Sequence, residues 1–402
     1  MTDSHEVWIT GIGVVSALGS GLDAHRDAVR QQRTGLSTHS FFGGQAPDPC
    51  VCGRVSQQVL PELSETCESD RATRLLDHAV GQALDSSGLS ASSDMDIIAG
   101  TTLGNIAAAS SYYRQTRGNQ SPDPAHFGGF LLGQPLHDVK QSRGLTGRSQ
   151  TICSACGSAA AAMGQTFHRI GTGMAQRVMV AGFEALSPYV VAGFNSLRLV
   201  SKQPCCPFDK ARAGLSPGEG AAALVLESRA SAQQRGVRPL ARVVGFGAAL
   251  DAYHYTRAHP EGRGLAQAML KALASACLTP EQVHHLELHG TATEANDPSE
   301  YCALRSVFAD ALAGIPATST KSMTGHTFGA SAALGAVFSV IALQERTAPA
   351  TLNCHERDPA FVDLRVSSRP VEIPHLPTVM STSLGFGGEA FALVFTCAEA
   401  GA

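Results

Sequence analysis

Residues 150–163 constrain the fold of this chain more than any other stretch, because they combine two β-branched residues, a tight turn and an alanine-rich run. Thr151 and Ile152 favour a short strand. Since alanine is the best helix former, residues 158–163 are predicted to be helical. Small side chains on every side of this helix let neighbours pack from all directions, so we expect a buried strand–turn–helix unit.

Cys156 lies at the predicted start of this helix. Unpaired backbone N–H groups and the positive end of the helix macrodipole favour a thiolate at such a position, which makes Cys156 a candidate nucleophile. Two other interpretations stay open for this cysteine taken alone. Most buried cysteines are inert core residues. The spacing of Cys153 and Cys156 is also that of a redox motif, although nothing nearby resembles a thioredoxin-like unit.

The composition of the 402-residue chain is that of a large globular protein, with 44% hydrophobic and 16% charged residues. This length favours two packed domains or a duplicated unit over one isolated domain. The net charge of −4 gives no reason to expect a nucleic-acid partner or a membrane surface as partner. No apolar run reaches about 18 residues, so no transmembrane helix is predicted.

Eleven cysteines are scattered along the chain. Their odd number and the polar N-terminus, which does not resemble a signal peptide, predict free thiols in a reducing cytoplasm. Cys50 and Cys52 have no partner pair at zinc-finger spacing, so no metal site is predicted.

Strands and helices alternate along the whole chain, which is typical of an α/β fold. Apolar, β-branched runs predict strands at 6–15, 96–102, 177–183, 220–227, 241–249, 285–288, 379–384 and 391–395. Apolar residues at helical spacing predict helices at 19–30, 69–89, 264–278 and 330–344. Segments 33–67 and 110–134 are predicted to be irregular, the second serving a pocket or a subunit contact. Because the pattern restarts near residue 240, we divide the chain into two similar halves, 1–240 and 241–402.

Three further loops carry unusual polar residues beside predicted strands and helices. Residues 289–300 follow the strand at 285–288, and residues 321–326 come just before an alanine-rich helix. Residues 385–388 form a Gly-Phe-Gly-Gly turn between two strands. Loops at strand ends are where α/β folds place their chemistry.

A thiol, two histidines and a lysine form a chemically coherent set. A cysteine can attack a thioester and hold the acyl group, while N–H groups of His289 and His326 can stabilise an enolate as CO2 is lost. A lysine kept charged by a carboxylate fixes the protonation states around it. Glycines beside Phe386 would let a backbone N–H form an oxyanion hole and let the aromatic ring act as a gate.

The motifs, taken in order, resemble those of the β-ketoacyl–acyl carrier protein synthases, condensing enzymes of the thiolase superfamily. The similarity runs nearly end to end, through VWITGIGVVSALG, SACGS, AGFEALSPYVVAGFNSLRLVS, CPFDKARAGLSPGEGAAALVLE, HGTATEANDPSE, STKSMTGHTFGASAA and SLGFGG. The resemblance implies a thiolase-like α/β fold of five layers, αβαβα, built from two similar halves. It also implies an elongating ketosynthase that needs no cofactor, because its substrates arrive on the phosphopantetheine of acyl carrier protein.

The resemblance implies catalytic roles for five residues. Cys156 would be acylated by an acyl carrier protein thioester. His289 and His326 would bind and decarboxylate malonyl carrier protein, with Lys321 and Glu300 as their support.

Further roles implied by the resemblance concern binding. The backbone N–H groups of Cys156 and Phe386 would form the oxyanion hole, with Gly385 and Gly387 giving the gate loop its flexibility. The residues that would contact the carrier are Thr291 and Thr293, along the pantetheine arm, and Arg71 and Arg74, in a carrier-protein docking region.

The resemblance also implies a partner subunit, because family members are dimers and segment 110–137 matches the part that reaches the partner's acyl tunnel. The expected assembly is a homodimer or a heterodimer with a chain-length-factor-like subunit. An alternative is that this chain is itself such a non-condensing subunit. The chain departs from the family pattern at Leu215, Ala292, Thr382 and residues 389–390. Since these lie on gate loops and near the pantetheine channel, a specialised type II polyketide or aryl-polyene-like pathway is favoured over housekeeping fatty acid synthesis.

Overall fold

The computed structural model describes residues 6–63, 70–90, 95–118, 121–374 and 377–398. Two positions used in the predictions lie outside these ranges: Cys67, the end of a predicted irregular segment, and Ser69, the predicted start of a helix. The strands are β1 (Val7–Ser16), β2 (Gly19–Ser20), β3 (Ser37–His39), β4 (Cys50–Cys52), β5 (Asp96–Gly100), β6 (Ser149–Ile152), β7 (Arg177–Glu184), β8 (Gly220–Ser228), β9 (Ala241–Leu250), β10 (His285–Glu287), β11 (Pro316–Thr318), β12 (Thr347–Ala348), β13 (Arg365–Val366), β14 (Val371–Glu372), β15 (Thr378–Leu384) and β16 (Glu389–Cys397). The α-helices are α1 (Leu22–Arg30), α2 (Arg71–Ser87), α3 (Ile106–Arg117), α4 (Pro124–Gly129), α5 (Gln134–Ser142), α6 (Ser158–Gly171), α7 (Pro188–Ser196), α8 (Arg229–Gln234), α9 (Arg263–Ala276), α10 (Asn296–Phe308), α11 (Lys321–Thr324) and α12 (Ser331–Glu345).

Each half of the chain contributes a set of five strands to the large sheet, and the two sets have the same connectivity. The strand order is β1-β8-β7-β5-β6 in the first half and β9-β16-β15-β10-β11 in the second. In both halves the first two neighbouring pairs are antiparallel and the last two are parallel. The prediction of two similar halves is therefore confirmed. A short antiparallel pairing between β1 and β9 joins the halves into one continuous sheet.

Helices form three layers around these strands. Helix α2 packs on the outer face of β1, β7 and β8, and α9 packs on β9 and β16. Helices α6 and α12 lie between the two halves, inside the largest hydrophobic core. The order of layers is therefore αβαβα, as the sequence predicted.

Glycines on the strands make this close packing feasible. The main chain of α2 lies so near β1 that a Cβ built on Gly13 would be 2.0 Å from the carbonyl oxygen of Ala79. No side chain larger than hydrogen fits there without moving the helix, which explains part of the high glycine content.

The segment Phe328–Glu345, which ends with α12, is long and apolar enough to cross a membrane by length and composition alone. The expectation that no segment reaches this threshold was therefore wrong. Since 89% of the segment is buried inside the protein, its all-round apolarity is that of a core helix packed from every side.

Two segments predicted to be irregular contain regular structure. Segment 33–67 includes the antiparallel pair β3–β4, and segment 110–134 includes most of α3 and all of α4. The sequence of the second segment shows no helical spacing of apolar residues, because several of its large apolar side chains do not face the core of this chain. The exposed ones include Tyr113, Phe127, Phe130 and Leu131.

Candidate active site

A strained turn between β6 and α6 presents the candidate nucleophile. Ala155 adopts a left-handed conformation, with φ of 43°. The Ser158 hydroxyl stabilises the turn by accepting from the Ser154 N–H at 2.9 Å and donating to the Ala155 carbonyl at 2.6 Å. Backbone strain of this kind persists where the surroundings hold a functional group in place. Here it places Cys156 two residues before the first residue of α6, with 5% of its surface exposed.

His326 lies against this cysteine. Its Nε2 is 3.2 Å from Cys156 Sγ, and its Nδ1 is 2.8 Å from the Ser331 hydroxyl oxygen. The imidazole of His289 stands perpendicular to that of His326, with the ring centroids 5.4 Å apart. The structure therefore brings the predicted thiol and both predicted histidines together, although they lie far apart in the sequence.

Burial sets the resting charges of these three groups. It lowers the pKa of both histidines well below the usual range, and the Lys321 ammonium lowers these pKa values further. Burial also raises the pKa of the Cys156 thiol to about 12, against the opposing effect of Lys321. The expectation that this position favours a thiolate is therefore not met in the resting site. The thiol and both imidazoles are neutral at rest, so the thiol must pass its proton to a base, and His326 Nε2 is within hydrogen-bond distance to accept it.

Glu300, from α10, holds the backbone of the His289 loop. Its carboxylate accepts from the N–H groups of His289 and Gly290, both at 2.8 Å, and from the Thr382 hydroxyl at 2.7 Å. Glu300 therefore fixes the main chain that carries His289, and its supporting role in catalysis stays a prediction. Thr382, one of the departures from the family pattern, belongs to the same network.

Lys321 begins α11 and is buried beside the histidines. Burial lowers its pKa, while the carboxylates of Glu287 and Glu300 raise it, Glu287 having the larger effect. Sequence reasoning missed Glu287. The available signal was a carboxylate between two leucines, two residues before His289.

The Gly-Phe-Gly-Gly turn joins β15 to β16 beside the nucleophile. The Gly387 N–H donates to the Tyr255 carbonyl at 2.9 Å, which ties this turn to the loop after β9. Position 387 favours glycine, because its φ of 96° is a backbone conformation that residues with a side chain rarely adopt. The ring of Phe386 stacks on Phe194 with the centroids 5.9 Å apart. Gly385 lies next to Ser154, so the predicted gate loop does contact the nucleophile turn.

A cavity of about 500 Å³ leads from the surface to this site. Thr291 and Thr293 line it, as the pantetheine prediction requires, and their hydroxyl oxygens are 2.9 Å apart. Arg198 and Arg257, which sequence reasoning missed, also line the cavity and are exposed. They come from loops far apart in the chain, so no local pattern could have paired them.

The docking role predicted for Arg71 is wrong. Arg71 is buried, and its guanidinium donates to both carboxylate oxygens of Glu219, which is fully buried. It also donates to the Val55 carbonyl at 2.6 Å. An arginine committed in this way holds the core together and cannot meet a partner. Arg74 is half-buried and donates to the Glu62 carbonyl at 2.9 Å, so its docking role stays a prediction.

No cluster of three or more His, Cys, Asp or Glu side chains in the described part of the chain is arranged to hold a metal ion. A neutral thiol, two neutral imidazoles and a buried lysine beside a narrow cavity are suited to acyl transfer through a covalent thioester.

The αβαβα order of layers, the two similar halves and the cysteine–histidine site together define a thiolase-like condensing enzyme. Comparison of families makes the assignment specific: residues 4–232 match the N-terminal domain of the β-ketoacyl synthases, and residues 240–355 match their C-terminal domain. This chain belongs to the β-ketoacyl synthase family.

Curated relatives cover the whole chain. The 3-oxoacyl-[acyl-carrier-protein] synthase 2 of Coxiella burnetii is 30% identical over 98% of this chain and 99% of its own length. The protein of the same name from Staphylococcus aureus strain COL is 28% identical over the full length of both chains.

Solved structures agree with this assignment. The ishigamide ketosynthase/chain length factor matches with a TM-score of 0.90 and 27% identity over 98% of this chain and 99% of that one. A β-ketoacyl synthase from Burkholderia phymatum matches with a TM-score of 0.87 and 28% identity over 98% of this chain and 100% of that one.

Proposed function

We propose that this protein is an elongating β-ketoacyl–acyl carrier protein synthase. It takes an acyl group from acyl carrier protein onto Cys156 and condenses it with malonyl carrier protein, giving 3-oxoacyl carrier protein and CO2. The observation that carries the proposal is the 3.2 Å contact between Cys156 Sγ and His326 Nε2, with His289 perpendicular beside them in one cavity.

Acylation begins with a neutral thiol. Cys156 passes its proton to Nε2 of His326, while Nδ1–H of the same ring donates to the Ser331 hydroxyl. The thiolate attacks the thioester carbonyl, and the backbone N–H groups of Cys156 and Phe386 receive the oxyanion. The new S–C bond forms as the bond to the pantetheine sulfur breaks, and that sulfur leaves with the proton from His326.

Condensation needs the same histidine as a hydrogen-bond donor. The Ser331 hydroxyl can donate as well as accept, so it allows the tautomer of His326 with the proton on Nε2. N–H groups of His289 and His326 then stabilise the enolate oxygen as the bond to CO2 breaks. The enolate carbon attacks the acyl thioester and forms the new C–C bond as the bond to Cys156 Sγ breaks. The thiolate that leaves takes a proton from solvent. No cofactor enters these steps.

The cavity mouth supports a carrier-borne substrate. We propose that Thr291 and Thr293, which line the cavity, contact the amide groups of a pantetheine arm. Arg198 and Arg257, which also line it, would bind the phosphate that joins this arm to its carrier. Arginine suits such an anion because its planar donors match phosphate oxygens.

Arg198→Glu and Arg257→Glu are each expected to raise KM for acyl carrier protein about 10-fold, which corresponds to the loss of ~1.4 kcal/mol of charge-assisted binding. Transfer from a short acyl thioester without the phosphate should stay unchanged. Arg369→Glu, at an exposed arginine after β13, is the charge-matched control. Equal KM increases in all three variants would contradict a local phosphate site. Arg74→Glu in the same assay tests the remaining docking prediction.

Intact-protein mass spectrometry with a panel of acyl carrier proteins tests the proposed function. A mass increase of one acyl group on the purified chain is expected, and the preferred acyl group identifies the pathway, for which we propose a specialised type II polyketide or aryl-polyene-like route. No mass increase with any donor would favour the second candidate, a non-condensing chain-length-factor-like subunit. The presence of Cys156, His289 and His326 argues against that candidate.

The sheet edge supports a partner subunit. Strand β6 is the last strand on its side of the sheet and is partly exposed, and the exposed side chains of Tyr113, Phe127 and Leu131 belong to the segment predicted to contact a partner. Exposed edges and apolar patches favour pairing with another subunit. We propose a homodimer or a heterodimer with a chain-length-factor-like subunit, in the cytoplasm. Analytical ultracentrifugation of the purified chain alone distinguishes the two assemblies. A homodimer should sediment as a dimer, whereas a chain that needs a different partner should sediment as a monomer or as aggregates.

A further inference from the structure

A second, smaller cavity lies next to the catalytic groups. Its volume of about 10 Å³ is room for about one water molecule. Polar groups line it, among them the side chains of Glu287, Thr320, Lys321 and Ser381. Ser331, which contacts His326, also lines it.

Only one of the two carboxylate oxygens of Glu287 has a hydrogen-bond partner among the described residues. Its Oε1 accepts from the Thr320 hydroxyl at 2.5 Å and from the Thr320 N–H at 3.3 Å. Its Oε2 is buried and has no hydrogen-bond partner among the described residues. A buried carboxylate oxygen without a partner is costly, so this atom is expected to face a water or a cation.

The neighbouring carboxylate cannot take over this role. The oxygens of Glu300 are occupied by the N–H groups of His289 and Gly290 and by the Thr382 hydroxyl. Glu287 therefore has a free oxygen and lines the same small cavity as Lys321, whereas the resemblance to the family assigned the support of the histidines to Glu300.

We propose that Glu287 is a positioning residue that keeps Lys321 charged and holds it, through one water in the small cavity, beside the two histidines. This inference rests on the proposed function. Lys321 in turn adds to the effect of burial that keeps both histidines neutral, and its positive charge offsets the negative charge that the enolate carries during decarboxylation. The charged or titratable groups around Lys321 are Glu287, Glu300, Cys156, Cys205, His289 and His326, and those around Glu287 are Lys321 and Glu300.

The expected pH dependence follows from the signs of these interactions. Burial raises the pKa of Glu287 to about 7, so its charge is present above that pH and is lost below it. Burial lowers the pKa of Lys321, and the Glu287 carboxylate raises it. Removing the carboxylate charge should therefore let Lys321 lose its proton at lower pH, and the damage should appear mainly above pH 7.

Glu287→Gln tests the proposal through the rate of CO2 loss from malonyl carrier protein. The ratio of the parent rate to the variant rate should rise from near 1 at pH 6 to about 10 at pH 8.5. In a Lys321→Met background the same substitution should produce no pH-dependent ratio. A ratio that is constant with pH, or one that survives in Lys321→Met, would overturn the proposal.

Two further measurements keep the outcome interpretable. If Glu287→Gln fails to fold by circular dichroism, Thr320→Val removes a hydrogen bond that lowers the pKa of Glu287, so the carboxylate should then charge only at higher pH. The ratio of parent rate to variant rate should exceed 1 just above pH 7 and fall back toward 1 at pH 8.5, and a ratio of 1 at every pH would count against the proposal. A parent protein that neither accepts an acyl group nor releases CO2 would refute the proposed function itself. An active parent with a flat Glu287→Gln ratio would refute only the role of Glu287.

Discussion

Replacing Cys156 with alanine is expected to abolish acyl transfer from acyl carrier protein and to lower condensation by about 10⁴-fold or more. The nearly buried sulfur is the atom that would form the thioester, and His326 Nε2, at 3.2 Å, has no other thiol in hydrogen-bond contact within the described structure. Intact-protein mass spectrometry should show no acyl adduct on Cys156→Ala under conditions that fully acylate the parent protein.

Cys153→Ala provides the matched control. Cys153 is three residues away on the same turn, but it is exposed and its Sγ points to the Thr102 carbonyl rather than to a histidine. This variant should acylate at the parent rate. Loss of acylation in Cys153→Ala would favour the redox interpretation of the two cysteines. An acyl adduct that persists in Cys156→Ala would show that another residue is the nucleophile.

Cys156→Gln separates the two half-reactions. The amide removes the nucleophile but leaves His289 and His326 in place, so release of CO2 from malonyl carrier protein should continue while condensation stops. Since the histidines are neutral through burial and not through contact with a thiolate, their donor ability should survive this change.

The local part of the site could be predicted because its chemistry sits at element boundaries. Cys156 follows a strand and precedes an alanine-rich helix, and His289 follows a buried strand, so both positions were visible as polar residues where apolar periodicity ends. The two similar halves could be predicted for the same reason, from the order in which strands and helices repeat.

The remainder depended on contacts between distant parts of the chain. Arg71 looked like a surface residue at a helix start, but its partner Glu219 lies 148 residues away and draws it into the core. The sequence places Glu287 between two leucines and gives it no partner, whereas the structure shows that it lines the same small cavity as Lys321. The spacing of residues along the sequence does not show which charged side chains meet across the fold. The burial of Arg71 and the charged neighbours of Glu287 were therefore visible only in the structure.

The two histidines are expected to fail in different ways, since only one of them contacts the nucleophile. His326 Nε2 is 3.2 Å from Cys156 Sγ, whereas His289 contacts His326 ring to ring. His326→Ala should therefore slow acylation about 10²-fold, through loss of the general base, and should also impair decarboxylation. His289→Ala should lower decarboxylation about 10²- to 10³-fold, through loss of one donor to the enolate oxygen, and should leave acylation nearly unchanged.

Measuring both half-reactions on each variant makes this difference decisive. Acyl adduct formation on Cys156 reports the first step, and conversion of malonyl to acetyl carrier protein reports the second. His355→Ala, at an exposed histidine before Arg357, should change neither rate. If His289→Ala and His326→Ala slowed both steps equally, the division of labour would be wrong, and the pair would act as one hydrogen-bonded unit whose loss disturbs the nucleophile and the enolate site together.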